Sequence, residues 1–355
     1  VIDTDTVGRT IRRAGLDAIR TVHCRDRGHG RRWIRVRRAQ LAGKGRRVVA
    51  VSRDANRAAT VAAPFRSAVG VAGVFSDPAT LGAIEPGVAI NCTGIEDLDA
   101  IRRWRAAGWS MIDITASSRY ATELAAEPLE GPPLLVGVGL VPGLTSVLAR
   151  MLVAEVPNTS AVTISCLIGL GENYGEASRS WTLGQLGRSV SDADGASYRN
   201  FSDPEMIEFP GGFGRRPAWR FDFADRALLP RPLGVDVTTR YCFDSRVAGR
   251  ALALASAVPG ARELIRRLGR ATRRVVQGTA WWAGVIETDT GKRAWVLSDG
   301  QSVGTATITA IAADRFAAID SARCRYLWDV IEPDQLISQT AAAGILVGTD
   351  HPSSH

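Results

Sequence analysis

The sequence predicts an α/β chain: a doubly wound parallel sheet followed by a second domain of α+β type. Three observations lead there. From Arg47 onward, continuously apolar strands alternate with helices of about ten residues, the pattern of a parallel sheet covered on both faces. After Pro157 that rhythm gives way to strands separated by irregular segments rich in Pro, Gly and aromatic residues. The 355 residues suffice for two domains of ordinary size, and 45% apolar with 23% charged residues is a folded composition.

In chain order, Arg47 to Ser52 reads as a strand, Ala55 to Ala63 as a helix and Val69 to Phe75 as a strand. Asp77-Pro78 suits the N-cap and first position of a short helix to Ile84. Val88 to Cys92 is a strand, Leu98 to Ala107 a helix, Ser110 to Ile114 and Leu134 to Gly137 strands, and Leu144 to Val156 a helix. Beyond Pro157, Ala161 to Ile168 reads as a strand, and a polar Gly-rich loop, Gly169 to Ala177, precedes a helix around Trp181 to Val190. Residues 192–235 read as loops with short strands, followed by helices at Val247 to Ala257 and Ala261 to Thr272. Trp281 to Thr288 and Arg293 to Leu297 form a hairpin around Asp289-Thr290-Gly291, where the Gly-containing turn is the signal, and a final helix starts near Pro333. The hairpin offers an edge through which a homodimer could pair.

Missing residue types exclude several chemistries. The histidines are His23, His29, His351 and His355, so none lies between residues 30 and 350. A Ser-His-Asp or Cys-His hydrolase and a histidine-liganded metal enzyme are excluded on that ground. The five cysteines are far apart and suggest neither zinc nor a disulfide framework. No tyrosine has a lysine four residues on, so the Tyr-x-x-x-Lys pair of short-chain dehydrogenases is absent. The net charge of +8 is local: residues 1–50 carry 14 basic and 4 acidic residues, and the rest of the chain is close to neutral. That basic stretch has a lone aromatic, Trp33, which is poor support for a nucleic-acid arm. The longest apolar run, Leu134 to Leu148, is broken by Pro142-Gly143 and is shorter than the ~20 residues that span a bilayer. A cytoplasmic protein with a small-molecule substrate and no nucleic-acid or membrane partner is expected.

A doubly wound domain that binds a dinucleotide needs glycines between its first strand and first helix, so that backbone N–H groups approach the pyrophosphate. Residues 25–38 instead hold seven arginines among fourteen residues. The chain has 42 Arg against two Lys, the bias of a G+C-rich genome. Read one nucleotide later, the codons of residues 24–34 permit a run G-A-T-G-x-x-G, with His29 giving Thr or Met and Trp33-Ile34 forcing a Gly. Residues before about Ala39 are therefore expected to be a displaced-frame rendering of such a loop. The expected organisation is 1–38, an aberrant Arg-rich stretch in place of the first strand and Gly-rich loop; 39–156, a Rossmann-like nucleotide-binding domain; 157–348, an α+β substrate and dimerisation domain; and a tail, 349–355.

Three segments, Ile90-Asn-Cys-Thr-Gly94, Ala107-Gly-Trp-Ser-Met-Ile-Asp-Ile-Thr115 and Gly137-Val-Gly-Leu-Val-Pro-Gly-Leu-Thr145, resemble in order and spacing the Rossmann half of saccharopine dehydrogenase-like oxidoreductases. The resemblance covers residues 46–156 and is loose beyond. It implies a dinucleotide cofactor and hydride transfer to or from an imine, amine or activated alkene. The histidines and lysines that lysine-pathway members place around their substrate are missing, so saccharopine itself is not the expected substrate.

Read physically, Arg53 follows the second strand, where a guanidinium pairs with the 2′-phosphate of NADP; an acid there would favour NAD. Ser52 adds a hydroxyl. Asn91, Cys92, Thr93 and Gly94 lie just past an apolar strand, at the edge where ligands bind, with an ordinary strand-to-helix turn as the plainer reading. Gly137, Gly139, Pro142 and Gly143 make a strand-to-helix transition whose small residues would admit a nicotinamide ring, or simply pack the helix on the sheet. Asp113, a carboxylate between isoleucines, is a catalytic candidate or a receiver of turn N–H groups. Tyr120 follows, with Thr115, Ser117 and Ser118, in a loop that could touch substrate. The expected cofactor is NADP, with NAD as the variant. The alternative class is a non-catalytic metabolite-binding protein without a working dinucleotide loop.

Overall fold

The computed structural model describes residues 19–24, 47–63, 68–82, 84–172, 181–191, 195–258, 278–316 and 324–350. The chain divides into two compact units, Val1–Leu144 with Thr305–Leu336, and Thr145–Gly304 with Ile337–His355. The division is not the contiguous one expected from the change of rhythm at Pro157. The Thr305–Leu336 segment belongs with the first unit, where Thr309 Oγ1 donates to the Val138 carbonyl and Thr305 packs against Gly139.

The first unit is built on a six-stranded sheet of β1 (Ile19–Cys24), β2 (Arg47–Ser52), β3 (Ala68–Ala72), β4 (Val88–Cys92), β5 (Ser110–Asp113) and β6 (Leu134–Val136). Its order is β3-β2-β1-β4-β5-β6, and every neighbouring pair is parallel. This is the doubly wound arrangement expected. β4 is almost continuously buried, as Val88, Ala89 and Ile90 show, the pattern of a parallel-sheet strand covered on both faces. The first strand, expected to be missing, is present: Ile19–Cys24 sits at the centre of the sheet, in register with Arg47–Val51 on one side and Val88–Cys92 on the other. The stretch in which the displaced loop was sought, residues 25–46, lies outside the described residues.

Helices α1 (Ala55–Ala62), α2 (Leu98–Ala106) and α3 (Ser118–Ala125) start on Asp54, Asp97 and Ser117, whose side chains accept from the backbone N–H groups of Arg57, Ala100 and Tyr120. α3 replaces the loop expected after Thr115, because Ser117 supplies a cap. Pro78–Leu81, opened by Asp77, is a single 3-10 turn rather than a helix to Ile84. Beneath α2, Trp104 is fully buried, donates to the Phe75 carbonyl at 2.6 Å and meets Trp109 edge-on. Two buried arginines hold the segment before β6. Arg105 donates to the carbonyls of Pro128, Glu130 and Pro132, and Arg325 to those of Leu124 and Glu127.

The second unit holds most of α4 (Leu144–Glu155) and a seven-stranded mixed sheet. Its order is β10 (Ser202–Phe209), β11 (Gly214–Arg220), β12 (Asp236–Phe243), β7 (Ala161–Ile168), β13 (Trp282–Thr288), β14 (Arg293–Ser298) and β15 (Leu346–Asp350), with β7 and β12 parallel. This confirms the α+β expectation. A small ribbon joins β8 (Ser189–Ser191) and β9 (Ser197–Arg199). The helix expected over Trp181 to Val190 is helical only at 181–184, and Val190 lies in β8. β10 and β11 are full-length strands where loops with short strands were expected, with a register shift at Pro204, which cannot donate to the ladder. The β13–β14 hairpin is interior to the sheet rather than an edge, because β15 covers it and continues to Asp350, into the expected tail. Phe201, Phe221, Phe223, Tyr241 and Phe243 of this unit pack as one aromatic group, which Trp181 joins. The helix expected at Ala261 to Thr272 lies outside the described residues. Among the described residues, no helix is long and apolar enough to cross a membrane.

Candidate functional site

In a parallel sheet the carboxyl ends of all strands lie on one edge. Where the winding reverses, the two following connections leave in opposite directions and open a crevice. Here the reversal falls between β1 and β4, with Cys24 opposite Cys92 and His23 opposite Asn91. The turn after β4 therefore borders that crevice.

That turn, 91–95, is held from within. Asn91 is 3% exposed. Its amide nitrogen donates to Asp113 Oδ2 at 2.7 Å and to the Ile95 carbonyl at 3.2 Å. Its amide oxygen accepts the Thr93 hydroxyl at 2.8 Å and the Thr93 N–H at 3.2 Å. Thr93 Oγ1 in turn accepts the Ile95 N–H at 2.9 Å. Cys92 is half-buried and in no disulfide. Gly94 stands out from this buried network with φ +68°, and a Cβ built there would meet no atom of the described residues within 4 Å.

Asp113, 1% exposed, receives Asn91 on one carboxylate oxygen and the Thr115 N–H, at 2.8 Å, on the other. Burial pushes its carboxyl up to about 7, against the opposing pull of these two hydrogen bonds. Thr115 and Ser117 continue the turn: the Thr115 hydroxyl accepts the Ser117 N–H, and Ser117 caps α3. Tyr120 is buried on α3, and its hydroxyl, beside the Asp97 backbone, makes no well-formed hydrogen bond among the described residues. Burial and the Asp113 charge push the Tyr120 hydroxyl's pKa above the ordinary phenol value. Asp113 and Tyr120 are thus close in space, but both are sealed from solvent.

Ser52 ends β2, where its hydroxyl accepts the Asp54 N–H at 3.3 Å, and Arg53 is exposed just beyond it. Asp54, the acid nearest this strand end in sequence, is engaged as the N-cap of α1. The Gly137–Gly143 segment is buried throughout and folds on itself. Gly139 bridges Gly143, the Leu144 N–H donates to the Gly139 carbonyl, and Pro142 follows a cis peptide. Gly143, at φ +129°, needs its bare Cα because a Cβ would overlap the Gly139 backbone. Gly137, at φ +65°, makes the turn out of β6. These glycines serve close packing of their own chain.

Sequence reading did not pair Asn91 with Asp113. The residues are 22 apart, and only the β4–β5 register, which sets them side by side, brings them together. It also passed over Asp225, a fully buried carboxylate of the second unit that accepts the Ser146 hydroxyl at 2.6 Å and the Thr145 hydroxyl at 3.1 Å. Burial raises Asp225 to about 6. Among the described residues, no cluster of His, Cys, Asp and Glu is suited to a metal ion.

No family model matches the chain, and no curated protein matches it. Solved structures with an overall likeness include the WlbA dehydrogenase of Thermus thermophilus in complex with NAD and UDP-GlcNAcA, at 11% identity and TM-score 0.39 over 90% of this chain and 93% of that one. A second is dipicolinate-bound dihydrodipicolinate reductase from Paenisporosarcina sp. TG-14, at 10% identity and TM-score 0.38 over 89% and 100%. A third is the 3-ketoreductase KijD10 of Actinomadura kijaniata with NADP, at 12% identity and TM-score 0.36 over 84% and 90%. None of these three is described as a saccharopine dehydrogenase.

Proposed function

We propose that the protein binds NADP at the β1/β4 crevice of its first unit and acts as an oxidoreductase of saccharopine dehydrogenase-like type on a small metabolite. The observation that carries the reading is the all-parallel order β3-β2-β1-β4-β5-β6, with an open glycine corner, Gly94, just past its switch point. The residues fit the group. Gly94 lets a ligand approach the backbone, and Arg53 and Ser52 stand at the end of β2, where an adenosine 2′-phosphate would lie. Asp54 is committed to its cap, which leaves the strand end without a free carboxylate for a ribose 2′-hydroxyl and favours NADP over NAD. A bound nicotinamide would supply hydride to an imine or activated alkene, or accept it from an amine; the chain binds, orients and excludes water.

A second reading has its own support. Asp113 and Tyr120 are sealed, so neither presents a proton to the crevice, and a chain that binds a dinucleotide or metabolite without turning it over is consistent with that burial. Fluorescence titration with NADPH and NADH tests the first reading, with alkylation of Cys92 mapped by mass spectrometry as a second signal. Saturable binding, tighter for NADPH, with protection of Cys92 is expected. A folded protein showing neither change refutes the cofactor site.

A further inference from the structure

Asn91 uses its entire hydrogen-bonding capacity, two donors and two acceptor positions, on partners from one turn and one neighbouring strand. The network does not serve to start the following helix, because α2 is capped independently by Asp97 through the Ala100 N–H. What it holds is a corner where a Cβ built at Gly94 meets no atom of the described residues. Thr93 is 6% exposed, Asn91 3% and Asp113 1%, while Gly94 between them is exposed with open space around its Cα. A buried polar network is costly unless every member is satisfied, and here it is spent on fixing an outward-facing backbone.

We infer that Asn91 is a positioning residue, anchored by Asp113, that holds the Thr93–Ile95 backbone in the form that receives the dinucleotide. Asp113 acts through Asn91 rather than on the substrate. This rests on the cofactor reading above and deepens it. The Asp113 carboxylate orients the Asn91 amide, the amide oxygen gathers both polar groups of Thr93, and the amide nitrogen fixes the Ile95 carbonyl. Loss of either end frees the turn as a whole.

A double-mutant cycle read by NADPH titration tests this, together with hydrogen exchange at the Thr93 and Ile95 amides. Asn91→Ala and Asp113→Ala should each weaken NADPH about tenfold and speed exchange at both amides, and the double variant should be no weaker than the worse single one, because the pair acts as a unit. The exchanged pair Asn91→Asp with Asp113→Asn rebuilds the bridge with reversed polarity and should recover binding relative to Asn91→Asp alone, which a general loss of stability would not produce. Where Asn91→Ala does not fold, Thr93→Val removes only the hydroxyl that receives the Ile95 N–H, and should speed exchange at Ile95 and weaken NADPH. Wild-type affinity in folded Asn91→Ala or Thr93→Val, multiplication of the single effects toward a hundredfold, or no recovery in the exchanged pair overturns the inference. Failure of the wild-type protein itself to bind NADPH overturns the cofactor reading and the role assigned to Asn91 with it; binding by the wild type with unchanged binding by the variants overturns the role alone.

Discussion

Replacing Gly94 separates what the fold needs from what a ligand needs. The position has φ +68°, and a Cβ there has no atom of the described residues within 4 Å, so these oppose a side chain only through backbone conformation. For alanine that cost is about 1–2 kcal/mol, and for asparagine, which visits the left-handed region more readily, it is smaller. Gly94→Asn should therefore lower the melting temperature by no more than about 4 °C. A dinucleotide lying against the turn would meet the new side chain directly, and NADPH affinity should fall at least about tenfold, equivalent to ~1.4 kcal/mol. Thermal denaturation and fluorescence titration on the same preparation read both quantities. A stable Gly94→Asn protein that binds NADPH as tightly as wild type would refute the placement of the ligand at this corner. One that fails to fold would refute the claim that the space is open.

Gly143→Ala is the converse case: its Cβ would overlap the Gly139 backbone, so denaturation should show a loss of about 3 kcal/mol or more. Arg53→Ala should leave the melting temperature unchanged, since the side chain is exposed, while removing the preference for NADPH over NADH in paired titrations. Asp113, at about 7, and Asp225, at about 6, bind a proton more tightly in the folded chain than in the unfolded one. Their contribution is fully present below the ordinary carboxylate range and is lost as pH rises through those values. Urea midpoints should therefore fall from about pH 4 to about pH 7, with Asp113 accounting for a loss on the order of 4 kcal/mol, and Asp113→Asn should flatten that part of the slope. Arg325→Ala strands the Leu124 and Glu127 carbonyls and should cost about 2–4 kcal/mol in denaturant unfolding.

Elements whose identity depends on neighbouring residues were legible. β2 and β4 are built on unbroken apolar runs, β5 and β7 on apolar residues with a few polar ones, and Asp77-Pro78 announced the turn it opens. β1 was not, because Ile19-Arg-Thr-Val-His-Cys24 mixes polar residues into a strand that occupies the centre of a sheet, a place usually marked by unbroken hydrophobicity. β10 and β11 were hidden by Pro204 and by Gly211-Gly212, which read locally as loop. α3 was hidden by its serines, which serve as a cap.

The candidate site divides along the same line. The periodicity of the chain identified a doubly wound sheet and the residues at its carboxyl edge. The sequence alone thus determined which residues end the strands. Only the tertiary structure decided that Asn91 and Asp113 stand side by side, that Gly94 opens to solvent while Gly143 is closed by Gly139, and that Tyr120 on α3 is buried. Periodicity is a property of adjacent residues. Strand register, and the space left around a Cα, depend on segments that meet only when the sheet closes.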